Sequence, residues 1–286
     1  MKKYLKAAGF ILLYTMIYYA LQFIYLIAAA IVTTIMLVIK EPDMNPVVLT
    51  EKLTSIIMGQ ANISIIFAAV LAIPIYYVIG RMRKQNLFKT CSFSNIQPMK
   101  VLVLIVAGIS INMFSGYLLE CMQRLEFLKG YFEAHDALIE TLLGGSNYIL
   151  VFVGTALVAP IIEEIIFRGL ILNELKKVMT VTGAVILQGI LFGVYHLQVI
   201  QGAYAILFGI LMGLAYVWTK SIWSSIIIHV MINGTSTILS NIPNESRFIS
   251  VLENYNAMIF AISLVLIIVC YLYLYKRRIS SSQFQP

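Results

Sequence analysis

Two adjacent glutamates, Glu163 and Glu164, lie at the end of a long apolar stretch of the chain. The fifteen residues before them, 148–162, carry no charge. A carboxylate at the centre of a membrane helix costs roughly 2.5 to 3.5 kcal/mol on the insertion scale. A pair of carboxylates in this setting therefore indicates internal partners or a wet cavity, and a function.

Two of the three histidines of the chain, His196 and His229, also lie in apolar segments. Each has a companion four residues away, since Phe192 precedes His196 and Asn233 follows His229. Residues four apart share one face of a helix, so the members of each pair are predicted to project together.

The same spacing predicts that Glu164 pairs with Arg168. Structural roles in packing and hydrogen bonding would explain Asn233 or Arg168 alone. Four titratable side chains in apolar segments, Glu163, Glu164, His196 and His229, instead indicate a functional site.

Activation of water is the chemistry that these residue types fit best. A carboxylate and a histidine can deprotonate a water molecule, and a second histidine with an amide can stabilise the oxyanion formed when that water attacks a carbonyl. One glutamate and two histidines, here Glu163, His196 and His229, are also a zinc ligand set that leaves an open position. The residue types leave both mechanisms open.

Other hydrolytic signatures are missing from the sequence. It contains no His-Glu-x-x-His, no Gly-x-Ser-x-Gly and no Gly-x-Gly-Asp pattern, which argues against zincin, serine and aspartyl mechanisms. The three cysteines, Cys91, Cys121 and Cys270, are far apart and predict neither a disulfide framework nor a paired-thiolate zinc site.

The composition is that of a membrane protein, with 60% hydrophobic and 12% charged residues in 286 and a mean hydropathy of +0.91. The sequence predicts an all-α polytopic fold with about eight transmembrane helices, in a single domain over residues 1–286. The predicted spans are 8–39, 57–80, 101–120, 147–167, 179–197, 202–219, 222–240 and 256–275.

The basic residues set the orientation. Most of them fall on one side of this eight-span topology, the side that holds both termini, so the positive-inside rule makes the termini cytoplasmic. The net charge of +7 is then an orientation signal with attraction to anionic lipid headgroups and gives no reason to expect nucleic acid. The chain length and the absence of organelle signals favour a bacterial plasma membrane.

Three patterns together resemble one known family. Glu163-Glu164-x-x-x-Arg168, Phe192-x-x-x-His196 and His229-x-x-x-Asn233 occur in this order on successive apolar segments. They are similar to the motifs of the CPBP, or Abi, family of CAAX proteases and bacteriocin-processing enzymes. The resemblance covers residues 145–240, which would form the catalytic core, and does not extend to residues 1–140.

The resemblance implies an intramembrane endopeptidase that cleaves a membrane-associated peptide or protein. It implies that Glu163 and His196 activate water and that His229 and Asn233 form the oxyanion site. Glu164, Arg168 and Phe192 would then be supporting residues. A mechanism without a cofactor is favoured, with zinc held by Glu163, His196 and His229 as the alternative.

Two other functions fit the residues less well. An ion-coupled transporter could use Glu163 and the histidines as a proton relay. A transporter of this kind is expected to have broken helices in corresponding positions of both halves of the chain. A non-catalytic bacteriocin-immunity protein could retain the fold. The substrate, and whether it is prenylated, is not encoded in any pattern of the sequence.

Straight helices would place Glu163 and His196 too far apart to share a site. Glu163 is near the cytoplasmic end of its predicted span and His196 near the outer end of the next, about 25 Å away at 1.5 Å per residue. We expect the helix of Glu163 to continue through Arg168 toward Lys177, with irregular geometry near Pro160 or Gly169.

Overall fold

The computed structural model describes residues 1–143, 147–243 and 245–278, and these ranges contain helices and no β-strand. The predicted all-α fold is confirmed. In chain order the helices are α1 (Lys2–Lys40), α2 (Pro46–Gly59), α3 (Ala61–Met82), α4 (Leu87–Thr90), α5 (Pro98–Gln123), α6 (Lys129–Leu143), α7 (Tyr148–Lys176), α8 (Val181–Tyr195), α9 (Val199–Thr219), α10 (Ile222–Ser240), α11 (Arg247–Asn254) and α12 (Asn256–Lys276).

Within the described ranges, seven of these helices, α1, α3, α5, α7, α9, α10 and α12, are long and apolar enough to cross a membrane. The chain is therefore a multi-pass membrane protein. The one remaining predicted span, 179–197, corresponds to α8, which has only 15 residues. At 1.5 Å per residue α8 is about 22 Å long, short of a hydrocarbon layer of roughly 30 Å.

Contacts between distant segments gather the basic regions at one end of the bundle. Lys100 Nζ donates a hydrogen bond to the carbonyl of Arg277 at 3.1 Å. Ser94 Oγ donates to the carbonyl of Lys220 at 2.6 Å. These contacts agree with the predicted placement of the basic segments on one side, and the assignment of that side to the cytoplasm stays a prediction.

Helix α7 contains two π-helical segments, Phe152–Val158 and Ile165–Ile171, separated by an α-helical stretch. They lie directly before Pro160 and around Gly169, the two positions where irregular geometry was expected. Proline removes a backbone donor, which favours a wider turn at that point. The helix continues beyond Arg168 to Lys176, as the separation of Glu163 and His196 required.

Gly169 allows the second π-helical segment to pack closely against the loop that follows α4. A Cβ atom at this position would collide with the Cys91 side chain. Cys91 is fully buried, and this burial raises the pKa of its thiol to about 12. Cys91 therefore serves in packing, because its thiol is closed to solvent and stays protonated at neutral pH.

Helices α8 and α9 form a closely packed antiparallel pair. A Cβ atom at Gly189 would lie 3.0 Å from the backbone nitrogen of Ile210, and one at Gly209 would lie 2.8 Å from the Cα of Gly189. Small residues at such positions let membrane helices approach each other closely. This packing fixes α8, and with it His196, against the rest of the bundle.

Candidate active site

A cavity of about 340 Å³ opens between α1, α5, α7, α8, α9 and α10, and all four predicted catalytic residues line it. They are Glu163, His196, His229 and Asn233, with Phe192 beside them. Straight helices would have separated Glu163 and His196 by about 25 Å, whereas the two side chains line one cavity here.

The length of α7 and the shortness of α8 explain this convergence. Glu163 is 13 residues from the end of α7 at Lys176, about 20 Å at helical rise. His196 directly follows α8, 16 residues from the N-cap Thr180, or about 24 Å. Both side chains therefore reach a similar depth from the basic end of the bundle.

The predicted pair of Glu164 and Arg168 is present and completely buried. Arg168 Nη1 donates to Glu164 Oε1 at 2.7 Å, and both side chains are 0% exposed. Arg168 Nη2 also donates to the carbonyl of Gly209 at 3.1 Å, which attaches α7 to α9. Charged groups in such surroundings need a partner at this distance.

Glu164 also orients His229. The same Oε1 atom of Glu164 lies 2.8 Å from His229 Nδ1. A carboxylate only accepts hydrogen bonds, so Nδ1 carries the proton. The opposite nitrogen, Nε2, is 3.7 Å from Glu163 Oε2, which exceeds hydrogen-bond length and leaves both atoms available to a third group.

The two glutamates have different surroundings. Glu164 is 0% exposed and does not line the cavity, whereas Glu163 lines it and is 8% exposed. In the described part of the chain, Glu163 has no hydrogen-bond partner, and its Oε2 atom lies 3.7 Å from His229 Nε2. A carboxylate that is largely buried yet open to a cavity can accept a proton from a molecule bound there.

Phe192 packs between Arg168 and the two histidines of the site. Its ring centroid lies 5.0 Å from that of His196 and 5.7 Å from that of His229, in edge-on arrangements. The guanidinium of Arg168 lies over the same ring at 4.6 Å. The predicted proximity of Phe192 and His196 is thus present, and Phe192 restricts the orientation of both histidines.

The end of α8 is held in place by α1. Tyr19 donates a hydrogen bond from its hydroxyl to the carbonyl of Tyr195, directly before His196. Leu197, directly after it, has a positive φ of 55°, which ends the helix there. The ring of His196 forms no hydrogen bond with a residue that the structure describes and faces the cavity.

Asn233 is connected to the first half of the chain through α7. Its Nδ2 atom donates to the carbonyl of Thr155 at 3.0 Å, within the first π-helical segment. The hydroxyl of Thr155 donates to Asn62 Oδ1 at 2.8 Å. One hydrogen of the Asn233 amide is used in this way, and the second is left for a ligand in the cavity.

The sequence analysis assigned no function to residues 1–140, yet these residues contribute to the site. Tyr18, Tyr19 and Asn112 line the cavity, and Asn112 Nδ2 donates to the carbonyl of Ile232 at 3.1 Å. Isolated amides in apolar segments were the available signal, since such groups need partners inside a membrane protein. Asn62 and Asn112 fit that description.

The alternative zinc site would require Glu163, His196 and His229 to surround one ion. Among the described residues, no group of three His, Cys, Asp or Glu side chains is arranged to hold a metal. The approach of Glu163 to His229 supplies two ligands, and His196 does not complete the set. Whether the reaction uses zinc stays a prediction.

Comparisons with known proteins place the site in a family context. Residues 145–235 match the sequence model of the family described as type II CAAX prenyl endopeptidase Rce1-like. A Bacillus subtilis (strain 168) protein, YdiL, which carries the provisional description of a membrane peptidase, is 30% identical over 94 residues, or 33% of this chain. The match spans 38% of the length of YdiL. No solved structure matches the chain significantly.

The burial of Glu164 and Arg168 predicts strong thermodynamic coupling between them. Arg168→Met and Glu164→Gln should each destabilise the protein by about 3 to 5 kcal/mol, because each leaves the other charge buried without its partner. The double variant should lose markedly less stability than the sum of the losses in the two single variants. Thermal unfolding of the four proteins in one detergent measures the coupling, and additive losses would contradict it.

Proposed function

We propose, from the match of residues 145–235 to the Rce1-like CAAX endopeptidase family model, that this chain is an intramembrane endopeptidase that hydrolyses a peptide bond with activated water. The observation that carries the proposal is the contrast between two neighbouring carboxylates. Glu164 is occupied by Arg168 and His229, whereas Glu163 faces the cavity without a hydrogen bond to a described residue. Only Glu163 is placed to take a proton from bound water.

In the proposed reaction Glu163 and His196 hold a water molecule between them. Glu163 takes one proton while the water oxygen forms a bond to the carbonyl carbon of the substrate, and the carbonyl π electrons move to its oxygen. The tetrahedral intermediate then collapses. The C–N bond breaks, and the proton held on Glu163 passes to the leaving amine.

The negative oxygen of the intermediate needs donors that are already in place. The amide of Asn233 offers its second N–H, and His229 offers Nε2–H when its ring is protonated on both nitrogens. Glu164 Oε1, 2.8 Å from Nδ1, fixes the orientation of this ring. Glu164 and Arg168 thus act through His229, and Phe192 holds the two histidine rings.

The position of the cavity supports a membrane-associated substrate. Glu163 and His196 lie about 20 to 24 Å from the basic end of the bundle at helical rise, a depth reached most directly by a peptide that enters from the bilayer. We assign the catalytic core to residues 145–240 and place the protein in a bacterial plasma membrane with both termini cytoplasmic. The observations on the cavity do not require a prenyl group on the substrate.

Glu163→Gln should reduce the rate of proteolysis about 10²- to 10⁴-fold, the usual contribution of a general base. The amide keeps the size of the side chain but loses its basicity. The measurement is cleavage of candidate membrane-associated peptides in proteoliposomes. Glu253→Gln, at an exposed position of α11, is the matched control and should retain activity. Turnover by a correctly inserted Glu163→Gln protein at the rate of the control would refute the assignment.

Asn233→Ala should lower kcat by about 10² to 10³ with a smaller effect on KM, since the lost donor acts mainly on charge formed in the transition state. Steady-state kinetics on the same peptides separate the two constants. An unchanged kcat would show that Asn233 serves only in the hydrogen bond to Thr155.

Activity should persist after exhaustive treatment with chelators, because the proposed mechanism uses Glu163 and His196 without a Lewis acid. Metal analysis must be made on protein of confirmed activity, followed by chelation and by addition of zinc. Stoichiometric zinc together with loss of turnover on chelation and recovery on zinc addition would establish the alternative set of Glu163, His196 and His229.

A further inference from the structure

A second cavity, of about 530 Å³, lies at the basic end of the bundle and plays no part in the proposed reaction. It is formed by the first turns of α1, the residues that follow α3 and the end of α7. Four of its lining residues are cationic, namely Lys3, Lys6, Arg83 and Lys177, and one, Glu174, is anionic.

The carboxylate is already shared by two of the cations. Arg83 Nη1 lies 2.7 Å from Glu174 Oε1, and Lys177 Nζ lies 2.8 Å from the same atom. The other two cations have no carboxylate partner in the described ranges. Lys3 lies over the ring of Tyr4 at 5.1 Å, and Lys6 forms no hydrogen bond or ion pair with a described residue.

The wall that carries Arg83 is fixed before any ligand binds. The guanidinium of Arg83 lies over the ring of Phe10 at 3.5 Å and donates to the Tyr14 hydroxyl at 2.6 Å. The turn after α3 is closed by a backbone hydrogen bond from Gln85 to Gly80 at 2.8 Å. The cavity therefore presents a preorganised positive surface, which reduces the entropy cost of binding an anion.

The surroundings of the cavity favour a lipid over a small soluble anion. Met82, which lines the cavity together with the lysines, is 80% exposed. Large apolar side chains exposed on a span-length helix face acyl chains. An anion held by Lys3 and Lys6 would thus have hydrocarbon directly beside it.

We propose that this cavity binds the phosphate-bearing headgroup of an anionic phospholipid. Lys3 and Lys6 contact the phosphate, Arg83 and Lys177 supply further positive charge, and the acyl chains lie beside Met82. The bound lipid joins α1 to α7. Lys3 and Lys6 belong to α1, whereas Glu174 and the adjoining Lys177 lie at the end of α7.

Lipid titration of the purified protein tests this site. Phosphatidylglycerol and phosphatidylcholine are added separately to the protein in detergent, and bound lipid is counted by native mass spectrometry. Wild type should bind one phosphatidylglycerol more tightly than phosphatidylcholine. Lys3→Gln/Lys6→Gln should weaken that binding about 10-fold or more, given the usual contribution of a lysine near an anionic lipid, and Lys3→Arg/Lys6→Arg should retain it.

Lys89→Gln/Lys276→Gln is the matched control, because it removes two exposed lysines that do not line the cavity. It should bind phosphatidylglycerol like wild type. Equal weakening in both glutamine variants would refute the site, since binding would then follow overall charge alone. Displacement of phosphatidylglycerol by an equal concentration of inorganic phosphate would also overturn the proposal, because the acyl chains would contribute nothing.

Discussion

The buried ion pair between Glu164 and Arg168 is the interaction on which the arrangement of the site depends. Two charges with 0% exposure can persist in a membrane protein only at hydrogen-bond distance and with further polar contacts. Arg168 makes a further hydrogen bond to the carbonyl of Gly209, and Glu164 makes one with His229 Nδ1. These contacts connect α7 with α9 and α10, so the pair fixes both the helix positions and the proton on His229.

That pair also explains why adjacent glutamates can differ in function. Successive residues on a helix point about 100° apart, so a helix that directs Glu164 into the protein interior turns Glu163 toward another direction, here the cavity. The environment then separates the two carboxylates, one neutralised by a guanidinium and one left to a ligand. Different surroundings for two neighbouring acids are a common way to assign different chemical tasks to them.

The parts of the site that depend on one helix could be predicted from the sequence. Residues four apart are neighbours on any helix, so the pair of Glu164 with Arg168 and the contact of Phe192 with His196 followed from spacing alone. The shared site of Glu163 and His196 does not follow from spacing, because it depends on the lengths of two helices. The continuation of α7 past Arg168 was expected, and the shortness of α8 was not. Asn62 could be recognised as an isolated amide, but its partner could not be predicted, since Thr155 is 93 positions away and belongs to another helix.

The π-helical segments of α7 show how an irregular helix can be kept inside a membrane. Wide turns leave backbone carbonyls without their usual helical partners, and each must be satisfied by the protein itself. At Thr155 the amide of Asn233 supplies that partner at 3.0 Å, and the Thr155 hydroxyl is bound in turn to Asn62. The same hydrogen bond that satisfies the carbonyl also fixes Asn233 at the wall of the cavity. One contact therefore both stabilises the irregular segment of α7 and positions the proposed oxyanion donor.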